Sequence, residues 1–290
     1  MGIVVQTNVP SLIAQNSLTK ASNAMNIAME RMTTGYKLNS AKDDAAGLYV
    51  ATSLDKNIRG SEVAQKNVQM GNDMISVAEG DLAGIQDNLL RVRDLALTAA
   101  NGIYDQESLD AIKAEVNARL KEIDRVAYAS EYNGKKLLDG STDTIALQVG
   151  ANTDTVKDGD AKTVNIINIE GIFGDSVSSE LGVNFSGVDD VFKTSTDIAD
   201  IHAFIDTVDD ALENVQTKRT NIGAIQNRLD SAAASLTTTI ENLTSSKSTI
   251  MDADIAAEST EYINAQILQQ AAGALLVQAN QSPQIALSLI

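Results

Sequence analysis

The sequence is poor in the residues on which most cofactor chemistry and aromatic cores depend. Its 290 residues include no cysteine, no tryptophan, one histidine and two prolines, and only 3% are aromatic. Zinc, iron–sulfur and thiol chemistry require cysteine or clustered histidine, so the sequence implies no metal and no cofactor. We interpret the lone His202, beside Ile201, as a surface helix residue. No phosphate-binding glycine loop, zinc-protease or serine-hydrolase motif occurs, so we expect that the protein is not an enzyme.

Charge is also missing from both ends of the chain. The first charged residue is Lys20 and the last is Glu261, although the formal net charge of the whole chain is −17. Glutamine and asparagine interrupt both ends, so neither has the roughly 20 apolar residues of a membrane span. Burying an unpaired charge costs several kcal/mol, whereas a buried amide can be satisfied by its neighbours. The ends are therefore predicted to be helices buried among many protein neighbours, which indicates an assembly.

The acidic balance narrows the choice of partners and of compartment. The pI of about 4.4 argues against nucleic acid and anionic membranes as partners, because both attract Lys and Arg. The N-terminus lacks the basic segment and the continuous apolar core of a signal peptide. By this criterion the protein either stays in the cytoplasm or leaves the cell by another route.

Long apolar repeats predict coiled-coil helices on both sides of the middle of the chain. From residue 201 to 250 apolar residues recur at alternating steps of four and three, interrupted by Arg219, Gln226 and Lys247. A matching repeat covers residues 64–99 and a shorter helix covers residues 109–127. Such a sustained 3.5-residue period is typical of coiled coils, and three of them predict an antiparallel bundle. A 50-residue helix spans roughly 75 Å, more than the diameter of a compact globule of this size, so we expect a rod.

The two other parts of the chain show different patterns. Leu18, Met25 and Met32 are in helical step near the start, and Gly35 ends that helix. Ser40, with Asp43 three residues later, is interpreted as a capping box that opens the next helix. Between residues 131 and 198 the period changes: Asn133-Gly134, Asp139-Gly140 and Asp158-Gly159 are turn signals, and Ile145, Leu147 and Val149 alternate with polar residues. The fold predicted is mainly α, a long antiparallel coiled-coil bundle with a small β-hairpin region in the middle of the chain.

Several short motifs on both flanks give the chain a family resemblance. They include Asn39 to Gly47 (NSAKDDAAG), Arg91 to Ala96 (RVRDLA), Gln148 to Asn152 (QVGAN), Gly223 to Arg228 (GAIQNR), Ala265 to Ala271 (AQILQQA) and Gln278 to Gln284 (QANQSPQ). By these segments the chain resembles a bacterial flagellin, and a short one, over roughly residues 1–155 and 200–290.

The resemblance implies a division of the chain into three regions. Residues 1–40 and 255–290 would form inner terminal helices on the lumen side of a filament, disordered in the free subunit and folded on polymerisation. Residues 41–160 and 198–254 would form the outer helical bundle with its β-hairpin, and residues 161–197 a reduced variable surface region. The contacts expected within the filament core involve Leu18, Met25, Met32, Gln266, Gln269, Gln270 and Leu275.

The resemblance also implies function and partners. Flagellins polymerise with themselves into the propeller filament for swimming motility, so the protein would be extracellular, exported by the flagellar type III channel without a cleaved signal peptide. An export chaperone would bind residues 255–290, and cap and junction proteins would contact the filament. Host Toll-like receptors sense many flagellins at a motif retained here as Arg91, Leu95 and Glu115.

Two other functions remain open on the sequence alone. A hook–filament junction protein shares the design of the termini but forms no long filament. A coiled-coil effector secreted by type III export would be a stable monomer that forms no fibres. Self-polymerisation on filament seeds separates both from a flagellin.

Overall fold

The computed structural model describes residues 7–142, 144–153, 164–183, 188, 191–193 and 198–287, and the side chains of this last segment as far as residue 281. Within these ranges the chain forms five helices and four short strands. The helices are α1 (Val9–Thr34), α2 (Ala45–Ala99), α3 (Gln106–Ala129), α4 (Ile198–Met251) and α5 (Ile255–Leu287). The strands are β1 (Glu131–Tyr132), β2 (Lys135–Lys136), β3 (Thr144–Gln148) and β4 (Ile166–Glu170). The prediction of a mainly α bundle with a small β region is confirmed. No helix in the described part of the chain is both long and apolar enough to cross a bilayer.

The chain divides into two compact units, whose boundaries fall within α2 and α4. One comprises residues 57–240, and the other comprises residues 1–56 and 241–290.

The core of the 57–240 unit is built on the apolar repeats. Every member of the α2 repeat from Ala64 to Ala99 is buried, as are Val116, Leu120 and Ile123 of α3. On α4 the fully buried positions of the repeat include Val208, Val215, Ile222 and Leu229. The 3.5-residue period therefore identified the faces on which these helices pack.

Polar side chains fill the two breaks in the α4 repeat that lie in this unit. Arg219 donates to the side chain of Gln86 on α2, and Gln226 Nε2 donates to Glu79 Oε2 at 3.3 Å. Arg219 Nη2 lies 4.0 Å from Glu79 Oε1, which closes a four-residue polar layer between the helices. The breaks are thus paired with polar partners on α2, so they do not end the bundle.

Two antiparallel strand pairs, and the described residues between 171 and 193, which we call the insertion, pack against the bundle in the same unit. Asn133 and Gly134 form the tight turn between β1 and β2 with φ angles of 49° and 77°, which confirms the turn signal. β3 pairs with β4 over five residue pairs, from Thr144↔Glu170 to Gln148↔Ile166. Within the span predicted to be a variable surface region, several apolar side chains join the helical core: Ile169, Ile172, Phe173, Val177, Leu181, Val183 and Phe192. The Asp158-Gly159 turn signal lies outside the described residues.

The other unit pairs the start of the chain with its end. α1 ends as predicted at Gly35, whose φ of 75° lies in the left-handed region that glycine tolerates. The prediction that Ser40 and Asp43 cap α2 was wrong, because the cap is Asp44, whose carboxylate accepts from Ala46 N and Gly47 N where α2 begins. The Asp43 carboxylate accepts from Ser40 N within the preceding turn. The two adjacent acids thus cap two successive turns.

Candidate functional site

α1 and α5 pack against each other as an antiparallel pair, which we call the terminal pair. Asn8 Nδ2 donates to the carbonyl oxygen of Ala279 at 2.8 Å, and Ser11 Oγ donates to Asn280 Oδ1 at 2.8 Å. At the opposite end, Arg31 of α1 contacts Glu258 of α5. The antiparallel register therefore places the charge-free start of the chain beside its charge-free end.

The contact face of the terminal pair is lined with alanine. Ala14, Ala21 and Ala28 are the buried residues of α1 and recur every seven positions, and Ala265 and Ala272 are buried on α5 with the same spacing. A seven-residue repeat keeps one face of a helix against its partner, and small side chains let the two backbones approach closely. A groove along this pair is lined mainly by alanine, with Leu268, Leu275 and the first and last charged residues of the sequence, Lys20 and Glu261; its alanines are Ala21, Ala24, Ala265, Ala271 and Ala272.

Large apolar side chains of the terminal pair are exposed to solvent, most of them on the faces turned away from this contact and two, Leu268 and Leu275, along the groove. Their exposed fractions lie between 46% and 62% at Val9, Leu12, Ile13, Ile27, Met29, Ile255, Ile263, Ile267, Leu268, Leu275 and Val277. We call these residues the exposed apolar set. A soluble monomer exposes scattered apolar residues, but a concentration of them on two paired helices marks an interaction surface.

The contact residues predicted from the sequence fall into two groups. Leu18, Met25, Met32 and Gln269 are half-buried, and Ser259 Oγ donates to Met32 Sδ of α1 at 3.9 Å across the pair. Gln266, Gln270 and Leu275 are exposed, and Leu275 belongs to the exposed apolar set. The side chains of the first group thus pack partly against their own chain, whereas those of the second are accessible to another molecule.

Sequence reasoning missed most of the exposed apolar set. Leu12, Ile13, Ile267 and Leu268 are more exposed than any of the named methionines, yet none was singled out. The signal that identifies those of α1 is the seven-residue repeat of alanine at Ala14, Ala21 and Ala28. Once that repeat is taken as the packing face, the large side chains on the remaining faces must point away from it.

The three residues of the predicted receptor motif do not share one exposed surface. Arg91 Nε of α2 donates to Glu115 Oε1 of α3 at 2.9 Å, and the two side chains are 50% and 37% exposed. Hydrogen bonding to Glu115 raises the pKa of Arg91, and the same bond lowers the pKa of Glu115. Leu95 is only 6% exposed and belongs to the core of the bundle.

Similarity to known proteins covers both flanks of the chain. Residues 5–143 match the model of the bacterial flagellin N-terminal helical region, and residues 205–290 match that of the C-terminal helical region. The chain is 36% identical to a flagellin of Bacillus subtilis, and the alignment covers 99% of both chains. It is 33% identical to a flagellin of Halalkalibacterium halodurans over 99% of this chain and 100% of the relative. It is 32% identical to flagellin D of Vibrio anguillarum over the full length of both.

One solved structure supports the fold alone. A Vibrio parahaemolyticus chain described as a candidate flagellar hook-associated protein superposes with a TM-score of 0.59 at 18% identity. The superposition covers 72% of this chain and 99% of that one. The two chains therefore share a helical architecture.

Proposed function

Because the chain belongs to the bacterial flagellin family, and so is a structural subunit of the extracellular flagellar filament, we propose that the terminal pair is the main surface through which its copies contact one another. The observation that carries this proposal is the exposed apolar set on α1 and α5. The hook–filament junction alternative is not favoured, since the flagellin relatives align over essentially the whole chain. A structural role is also consistent with the absence of catalytic motifs from the sequence.

Burial of the exposed apolar set supplies a driving force for assembly. Fully burying one Val, Leu, Ile or Met side chain stabilises a contact by about 1.5–3 kcal/mol. Because these side chains are about half exposed, each contributes roughly half of that value, and the whole set contributes an amount comparable to the cost of immobilising a subunit, roughly 4–15 kcal/mol. The free chain keeps them in water, so copies that bury these faces against one another gain this free energy.

The lack of charge before Lys20 and after Glu261 fits a site with many protein neighbours. Gln266 and Gln270 are exposed on α5, where an amide can pair with the amide or backbone of another copy. A Lys or Glu at those positions would lose its water on assembly and cost several kcal/mol unless it were paired. The polar residues of α5 therefore support packing against copies of the same chain.

A charge introduced into the exposed apolar set tests the proposal. Leu268 is 61% exposed, so Leu268→Lys leaves the fold of the free subunit intact while burying an ammonium in the filament. We expect the variant to stay soluble and helical by circular dichroism but to form no filaments on added seeds. The matched control is Ser179→Lys, at an exposed residue of the insertion, which should polymerise normally. Normal polymerisation of Leu268→Lys would refute the proposal.

We propose further that the same α5 face binds an export chaperone before assembly, within residues 255–290. Ile263, Ile267 and Leu275 are all more than half exposed and would otherwise expose apolar surface in the cytoplasm. Export through the flagellar type III channel, without a cleaved signal peptide, belongs to the same proposal. Co-purification of a chaperone with the intact chain, but not with Ile267→Lys, is the result expected.

Filament cap and junction proteins are proposed as partners at the ends of the filament.

A host Toll-like receptor is proposed as a partner that binds at the Arg91–Glu115 pair. The two charged side chains are accessible, whereas Leu95 supports them from the core. Arg91→Ala is therefore the sharper test of recognition, because Leu95→Ala would also leave a cavity. Unchanged receptor signalling by Arg91→Ala would rule out this contact.

A further inference from the structure

Asparagine followed by glycine occurs at two places in the sequence, Asn101-Gly102 and Asn133-Gly134, and the structure treats them differently. Both dipeptides are exposed. An Asn-Gly step is the chemically most reactive context for loss of the side-chain amide, since glycine has no side chain to shield its backbone nitrogen. The surrounding backbone therefore decides which asparagine reacts.

Asn101 lies in the short connection between α2 and α3. Its N–H donates to Thr98 O at 3.2 Å, and its carbonyl accepts from Ile103 N at 2.6 Å. The space around Gly102 is open: no atom outside the immediate chain neighbours lies within 4 Å of the position that a Cβ would take. Ile103, the next residue, is 84% exposed. The exposed Asn101 and the open space at Gly102 leave room for a rotation that brings the Asn101 side chain to the Gly102 nitrogen, at the cost of local backbone hydrogen bonds only.

Asn133 is held in a constrained turn instead. Its φ is 49° and that of Gly134 is 77°, and Tyr132 pairs with Lys135 directly across the turn. Outside the turn Lys136 Nζ contacts Glu131 Oε2 at 2.9 Å, and Leu137 N donates to Ser130 O at 3.1 Å. A two-residue turn of this type fixes both central residues at positive φ. Closing a ring between the Asn133 side chain and Gly134 N requires the backbone to leave that conformation, which breaks the hairpin.

We propose that Asn101 is a site of spontaneous deamidation in the folded chain and that Asn133 is protected. In this reaction the Gly102 backbone nitrogen gives its proton to solvent base and attacks Cγ of Asn101. A C–N bond forms, the Cγ–Nδ2 bond breaks, and the departing nitrogen takes a proton from water and leaves as ammonia. Water then opens the cyclic imide at either carbonyl and leaves aspartate or isoaspartate at position 101. No oxidant or enzyme takes part.

The product changes the start of the α2–α3 connection. A carboxylate appears two residues beyond Ala99, at the negative end of the α2 dipole, where an anion is disfavoured. In the isoaspartate form the main chain also gains one methylene between α2 and the N-cap of α3, Asp105. Because assembled subunits remain outside the cell, we infer that position 101 records the age of the filament.

One tryptic digest compares both sites. Cleavage after Arg93 and Lys113 isolates Asn101, and cleavage after Arg125 and Lys135 isolates Asn133, each as the single asparagine of its peptide. After incubation of the full folded chain at mildly alkaline pH, we expect the acid form to accumulate at position 101 at least about tenfold faster than at position 133. Methyl transfer by an isoaspartyl carboxyl methyltransferase should label the first peptide alone. In denaturant the two rates should converge.

A glycine variant provides the matched control. Gly102→Ala places a methyl group in open space at a position without positive φ, so the fold is retained while the nitrogen is shielded. We expect this variant to lose the modification at position 101 and to keep its melting temperature. Equal rates at the two asparagines in the folded chain, or undiminished reaction in Gly102→Ala, would overturn the proposal.

Discussion

The Nη1 atom of Arg31 lies 3.0 Å from Oε1 of Glu258, and this ion pair joins the last turn of α1 to the first turn of α5. The side chains are 33% and 14% exposed, so the pair is partly withdrawn from solvent. A cation at the end of one helix and an anion at the start of the next also complement both helix dipoles. The ion pair therefore fixes the register of the terminal pair at the end opposite the contacts of Asn8 and Ser11.

Removing this ion pair should weaken assembly without abolishing it. We expect Arg31→Met and Glu258→Gln each to raise the critical subunit concentration for polymerisation, with a coupling energy of about 1 kcal/mol, or roughly fivefold. The measurement is the critical concentration of both single variants and of the double variant. Strictly additive effects of the two substitutions would show that the ion pair contributes nothing.

Two glycines of α2 should respond to alanine in opposite directions. A Cβ on Gly60 would lie 2.9 Å from the Cβ of Ala151 and 3.0 Å from its carbonyl oxygen, whereas nothing lies within 4 Å of one on Gly84. We expect Gly60→Ala to lower the free energy of unfolding by about 1–3 kcal/mol because backbone must move. Gly84→Ala should raise it by roughly 0.5–1 kcal/mol through helix propensity. Urea unfolding of both variants checks the prediction, and the same sign for both would contradict it.

Lys218 should hold the insertion against α4. Its Nζ donates to the carbonyls of Gly174 at 3.2 Å and Asp175 at 2.9 Å and to Ser176 Oγ at 2.8 Å, and burial lowers its pKa. Lys218→Met leaves these acceptors without their donor and should cost about 1–3 kcal/mol. Hydrogen exchange should accelerate at residues 171–178 in this variant. The exposed Lys121→Met is the control, and equal exchange in both would refute this role.

The Arg91–Glu115 pair should make stability depend on pH in acid. Its hydrogen bond lowers the pKa of Glu115 below the ordinary glutamate value of 4.5, so between these two pKa values the unfolded chain binds more protons than the folded chain. The contribution of Glu115 is therefore complete above pH 4.5 and is lost as the pH falls through the lowered pKa. We expect Glu115→Gln to lower the melting temperature at neutral pH and to match the parent in strong acid. The control variant Glu62→Gln should melt at the same temperature as the parent at neutral pH.

The sequence predicted the helices well because their packing faces repeat. Leu82, Leu89 and Val92 were identified by spacing alone and are fully buried. The α2 start was placed too early because Ser40 and Asp43 resemble a capping box, but their hydrogen bonds close a separate turn ahead of Asp44.

The insertion and the assembly face were harder to predict, for physical reasons. Phe192 packs edge-on against Phe204 of α4, with ring centroids 5.8 Å apart, but an irregular segment carries no period that reveals such a contact. On the terminal pair, alanine rather than methionine or leucine forms the buried face, which reverses the usual expectation that large apolar residues lie inside. That reversal is explained if the large residues are buried by other copies of the chain.

The most direct test of the terminal pair as the assembly surface uses the absence of native cysteine. Leu275→Cys places a single thiol on α5 at a position that is 62% exposed in the subunit, and Ser179→Cys provides an exposed control on the insertion. Maleimide labelling should modify both thiols rapidly in free subunits. In assembled filaments we expect the thiol at position 275 to be protected and that at position 179 to stay reactive. Equal labelling of position 275 in subunits and filaments would contradict the account.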